Sequence, residues 1–165
     1  MTKKKNATPK RSPGFGKLTT WLPVVVALVA GGVLLSQQAA RATDVVVYKS
    51  PTCGCCKEWV KHLEKNGFSV EVHDRLDMNP IKTELGVPVQ LQSCHTAKVG
   101  HYVIEGHVPA DDIKRLISEK PDVSGLSAPG MPMGSPGMEG PRTEPYDVLT
   151  FQRGGKISVY SSHNQ

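Results

Sequence analysis

Three of the four cysteines in this 165-residue chain fall within four residues, in Pro51-Thr52-Cys53-Gly54-Cys55-Cys56. Cys53 and Cys56 have the C-x-x-C spacing of dithiol redox sites, where the first cysteine is normally the exposed nucleophile and the second resolves the mixed disulfide. Cys55 has no role in that scheme. A third thiolate within reach suits a soft metal ion, because sulfur ligands select Cu(I) over harder cations. The competing structural reading is a disulfide with a spare thiol, but three crowded cysteines staple a chain of this length poorly. Cys94-His95 adds a fourth sulfur and an imidazole. Zinc would accept four sulfurs, or three and a histidine, in a closed tetrahedral site. Yet C-x-C-C followed 38 residues later by Cys94 is not paired-knuckle spacing, so zinc ranks below copper.

Thioethers are the other soft donors. Met131, Met133 and Met138 lie in the segment 121–145, which holds six of the thirteen prolines and five glycines and shows neither helical nor strand periodicity. Methionine also fills irregular gaps in cores, and that reading runs slightly ahead of direct ligation. Among the histidines, His95 adjoins a cysteine and is the first imidazole candidate; His107 is the second. His101 and His107 would share one face of a strand through Tyr102 only if Gly106 did not break it. His62 and His73 read as solvated side chains, and His163 as part of a fraying C-terminus.

These residues need elements to hold them. Asp44 to Lys49 is a continuous β-branched run ended by Ser50-Pro51, which predicts a strand covered on both faces. Cys56 to Asn66 spaces Trp59, Val60 and Leu63 as on a helix and stops at Gly67. Phe68 to His73 alternates as a second strand, completing a βαβ unit. The cysteines then sit at the helix N-terminus, where the dipole and unpaired N–H groups favour thiolate over thiol. Asn79 to Leu85 predicts a short helix with Pro80 in its first turn, Tyr102 to Ile104 a strand, and Pro109 to Glu119 a helix with Asp111 and Asp112 in its first turn. Asp147–Phe151 and Ile157–Tyr160 predict a closing hairpin. The fold class is therefore α/β: a βαβ body with inserted helices, a Pro/Gly/Met-rich loop and a final β-hairpin.

The charge of +5 is concentrated in one place. Seven of the 20 basic residues lie among the first 43, which contain no Asp or Glu. The remaining 13 face 15 acidic residues, a net of −2, which removes the support for a nucleic-acid-binding surface. Lys3 to Lys17 is a basic n-region, Trp21 to Leu35 an apolar h-region, and Ala40-Arg41-Ala42 a small-residue cleavage site. This predicts an export signal over 1–42, cut before Thr43, and a periplasmic domain over 43–165. The alternative is an uncleaved membrane anchor. Either arrangement puts the cysteines in an oxidising compartment.

Four segments in order carry a resemblance: Tyr48 to Cys56, Ser93-Cys94-His95-Thr96, Tyr102 to Pro109, and Gly130 to Glu139. Together they resemble the CopG-type metal-binding proteins, an exported family long grouped as a domain of unknown function and associated with copper resistance. The resemblance spans nearly all of 44–161. It implies a thioredoxin-like body, copper at the cysteine cluster, and a dithiol that is redox-active during copper handling. The family's cysteines fall on Cys53, Cys55, Cys56 and Cys94, and its other motif residues on His95, His107, Met131, Met133 and Met138. The expectation is a copper-binding protein of copper resistance or homeostasis. Its partners are copper ions and other periplasmic copper-resistance proteins, with dimerisation open. The alternatives are a thiol–disulfide oxidoreductase acting on copper proteins through Cys53 and Cys56, a metallochaperone without turnover, and a structural zinc protein. An oxidoreductase of thioredoxin type would also want a cis-proline facing the dithiol, for which Pro145 is the candidate.

Overall fold

The β-branched run at the start of the body forms β1 (Asp44–Lys49) in a computed structural model that describes residues 44–153 and 155–165. The expected export signal lies outside the described residues. After β1 come α1 (Gly54–Lys65), β2 (Ser69–Asp74), α2 (Asn79–Glu84), a 3-10 turn (Val89–Leu91), β3 (His95–Val99) and β4 (Tyr102–Gly106). Then follow α3 (Ala110–Glu119), β5 (Gly125–Ala128), β6 (Tyr146–Phe151) and β7 (Ile157–His163). Among the described residues all seven strands form one sheet in the order β2-β1-β3-β4-β5-β6-β7.

β1 and β2 run parallel, as a βαβ unit requires, and so do β4 and β5 across α3. β3 is antiparallel to both β1 and β4. The ends of β1, β4 and β5 and the start of β3 consequently gather along one end of the sheet. The Cys53–Cys56 motif, Cys94, His107 and the Pro/Gly/Met-rich loop all hang from that end.

The sheet carries a layer on each face. Trp59 and Leu63 of α1 and Ile113 and Leu116 of α3 pack with Val45, Val47, Ala97, Ile104 and Leu126 in the main core. Val87 and Leu91 cover the other face with Val103 and Phe151. β1 is less enclosed than its run of apolar residues suggests. Val45 and Val47 are fully buried while Val46 and Tyr48 are only half-buried, because α2 and the 3-10 turn form a smaller layer than the two long helices.

Two strands carry too little pattern to be read from sequence. β3 mixes His95, Thr96 and Lys98 with small apolar residues. β5 sits inside the segment 121–145 and has all four residues buried, which corrects the expectation of a stretch without strand character. Its residues are small for a reason: a Cβ on Gly125 would run into the carbonyl of Val103 on the adjoining strand. β7 extends through His163, so the C-terminus is paired with β6 where fraying was expected. Among the described residues no helix is long and apolar enough to cross a membrane.

Candidate metal and thiol site

Ser50-Pro51 ends β1 and Gly54 opens α1, so Cys53 becomes the N-cap: its sulfur accepts the Cys56 N–H at 3.3 Å. Cys55 and Cys56 follow in the first turn, where the cluster's sulfurs meet the positive end of the helix. Cys53 and Cys56 are joined as a disulfide, and Cys56 is fully buried. Cys55 and Cys94 are free thiols. Cys55 Sγ lies 3.5 Å from Cys53 Sγ. Cys94 arrives from the segment that enters β3, and the four sulfurs all lie within 4.8 Å of one another.

A second group shares Cys94. Its sulfur is 3.3 Å from His95 Nδ1 and 3.1 Å from His107 Nε2. His107 Nδ1 donates to the Pro136 carbonyl at 2.7 Å, which leaves Nε2 as the lone-pair nitrogen facing Cys94. His95 is fully buried between Trp59 and His107, with ring centroids 4.3 and 5.0 Å away, and its Nε2 has no hydrogen-bond partner. The nitrogen of His95 placed to coordinate is Nδ1, which lies against Cys94. Burial holds both imidazoles below the usual histidine range, so both are neutral and able to coordinate. Burial, reinforced by the neighbouring Cys55, pushes the Cys94 thiol up to about 12. A bound cation would reverse that balance, since coordinated thiols deprotonate. Soft sulfurs and neutral imidazoles fit a soft metal ion.

The segment 129–145 lies across this site. Gly137, with φ of 84°, packs so tightly on α1 that a Cβ there would be 2.6 Å from the Cys55 carbonyl and 2.8 Å from the Trp59 nitrogen. Ser93 Oγ donates to the Gly130 carbonyl. Of the expected methionines, Met131 is exposed, Met133 turns its methyl toward Gly140, and Met138 is half-buried.

Beneath Cys94 lies an ion pair that sequence reading missed. Lys82 of α2 and Glu105 of β4 are buried and meet at 2.5 Å. Glu105 also accepts from the Ser93 N–H at 2.6 Å and from Thr96 Oγ1 at 2.7 Å, so it grips the chain on both sides of Cys94. Burial raises the Glu105 carboxyl despite Lys82 beside it. The available signal was a lone Glu inside an apolar strand.

Two other histidines depart from the sequence reading. His62 is not solvated: its Nε2 accepts the Ala110 N–H at the start of α3. His163 contacts Asp112 at 2.7 Å and stacks on Tyr146. His73 stacks on Tyr48 at the sheet edge. His101 and His107 lie at opposite ends of β4, which Gly106 terminates with a positive φ. Pro145 is not a cis-proline, since every described peptide bond is trans. The segment that faces the dithiol ahead of β3 brings Cys94 in its place.

Residues 91–138 match a family model described as a protein of unknown function, DUF411. No curated protein matches the chain. Two solved structures of the copper resistance protein CopG are similar to it. Form 2 has a TM-score of 0.71 and 46% identity over 74% of this chain and 98% of that one. The chain belongs to the CopG family. Form 1 agrees, with the same TM-score and identity over 75% of this chain and 99% of the CopG chain. The family resemblance noted from the four sequence segments therefore holds, and the mixed α/β fold is that of the CopG structures.

Proposed function

We propose that this protein is an exported copper-binding protein of copper resistance. It holds Cu(I) on the thiolates of Cys53, Cys55, Cys56 and Cys94, with His95 and His107 completing the site. The observation that carries this reading is the meeting of four sulfurs from two separate segments, beside the buried imidazoles of His95 and His107, in a chain of the CopG family. Two-electron oxidation of Cys53 and Cys56 by an external disulfide, which is itself reduced to a dithiol, removes two thiolate ligands and releases metal; reduction restores them. Anaerobic titration of the fully reduced protein with Cu(I) tests this. Tight binding should consume the thiols and disappear on oxidation. Unchanged copper stoichiometry after joint replacement of Cys53, Cys55 and Cys56 by Ala would overturn it. Export is tested by intact mass of the protein recovered from a bacterial periplasm, with Thr43 expected as the first residue.

A second reading, a thiol–disulfide oxidoreductase for copper proteins, is favoured by one observation: a disulfide whose first sulfur caps a helix and whose second is buried beneath it. Under this reading Cys56→Ser traps mixed disulfides with partners, and an absence of trapped species counts against it.

A further inference from the structure

In this structure one disulfide and two free thiols occupy a single cluster. Cys53 is bonded to Cys56, Cys55 touches Cys53 at 3.5 Å between sulfurs, and Cys94 is within 4.8 Å of all three. A disulfide in contact with a free thiol is set up for exchange, which needs only a thiolate, an accessible disulfide sulfur and a stabilised leaving group.

We propose that the four cysteines pass one disulfide between two pairings, Cys53–Cys56 and Cys55–Cys94, by internal thiol–disulfide exchange in the metal-free protein. In the first step the Cys55 thiolate attacks Cys53 Sγ. The Cys53–Cys55 bond forms, the Cys53–Cys56 bond breaks, and Cys56 leaves as thiolate. In the second step Cys94 attacks Cys55 Sγ as its proton passes to His107 Nε2, 3.1 Å away. The Cys55–Cys94 bond forms and Cys53 leaves, its charge received by the Cys56 N–H that already points at it from the helix N-terminus. The protons given up by Cys55 and Cys94 end on Cys56 and Cys53. No electrons enter or leave.

The exchange has a chemical consequence. One pairing keeps Cys53 oxidised within the helix turn; the other links α1 to the start of β3 and delivers Cys53 and Cys56 as a fresh dithiol. The cluster thus stays one two-electron couple but presents either the helix-turn dithiol or the Cys55–Cys94 dithiol. The proposal concerns the same site as the copper reading but does not rest on it, because it involves no metal.

The test uses the full chain, stripped of metal, reduced, and given one equivalent of oxidised glutathione. After acid quench and alkylation, trypsin separates the outcomes. Cys53, Cys55 and Cys56 all lie in the peptide 50–57, whereas Cys94 lies in 83–98. The expected result is two species, an internally bridged 50–57 peptide and a 50–57 to 83–98 cross-link through Cys55, whose ratio reaches one equilibrium at pH 8 from either starting form. Only the internally bridged peptide, at all times, would overturn the proposal. The double variant Cys53→Ser with Cys56→Ser provides a second reading. Folded by circular dichroism, it should oxidise to a monomeric Cys55–Cys94 disulfide, and persistence of both free thiols would equally overturn the exchange. Loss of copper binding with exchange intact would sink only the copper reading.

Discussion

His107 shows how a single side chain is prepared for a task. The Pro136 carbonyl takes the proton-bearing nitrogen, and burial keeps the ring neutral, so Nε2 is presented to Cys94 as a bare lone pair. On the proposed copper reading, His107→Ala weakens Cu(I) binding by about 10- to 100-fold, the usual size for a group that orients or completes a metal site. Competition against a Cu(I) chelator measures it, and unchanged affinity would remove His107 from the site. Gly137 is the matching backbone case. Its left-handed φ and its seat against the Cys55 carbonyl leave no room for a side chain. Gly137→Ala is expected to lose about 1–3 kcal/mol in denaturant unfolding, from strain and a displaced loop.

Elements hold these groups through polar contacts between layers. Glu105 on β4 reaches Lys82 on α2 and the Ser93 N–H beside Cys94, so one buried carboxylate ties a helix, a strand and the thiol-bearing segment together. Glu105→Gln leaves the Lys82 ammonium buried without a counter-charge and is expected to destabilise the fold by about 3–5 kcal/mol. Adding Lys82→Met should recover much of that loss, a coupling that a double-mutant cycle in urea would reveal. At the other end of α1, His62 accepts the first N–H of α3. Burial, the main cause, lowers its pKa, against the pull of Glu139 and Asp111. Lys114 and Lys65 lower it further. The unfolded chain therefore takes up the proton first as pH falls. The stability this contact supplies is complete above the unfolded value of about 6.5 and fades below it. His62→Gln, which can accept the same bond without titrating, should narrow the difference in Tm from wild type as pH drops from 7.5 to 5.5. A difference independent of pH would show that His62 does not supply this effect.

At the scale of the molecule, one sheet contains every described strand. β5 links the βαβ body to the closing hairpin, and it does so through a glycine whose neighbour strand occupies the space of a side chain. Gly125→Ala forces β4 and β5 apart and is expected to destabilise by more than about 3 kcal/mol, seen as a collapse of Tm or of soluble yield.

The sequence makes the elements with strong local signals legible. The β-branched β1, the amphipathic α1 and α3 and the closing hairpin follow from periodicity and end signals, which act between near neighbours. It also exposed the cysteine motif, because residue type and spacing are local facts. The tertiary structure alone decided what is far apart in the chain. β5 carries no periodicity because both its faces are buried and its residues are small. The Lys82–Glu105 pair, the Ala110 contact of His62 and the Asp112 contact of His163 join residues 23 to 51 positions apart. The meeting of Cys94 with the helix cysteines is of the same kind. It exists because β3 runs antiparallel to β1, which brings the start of one strand beside the end of the other.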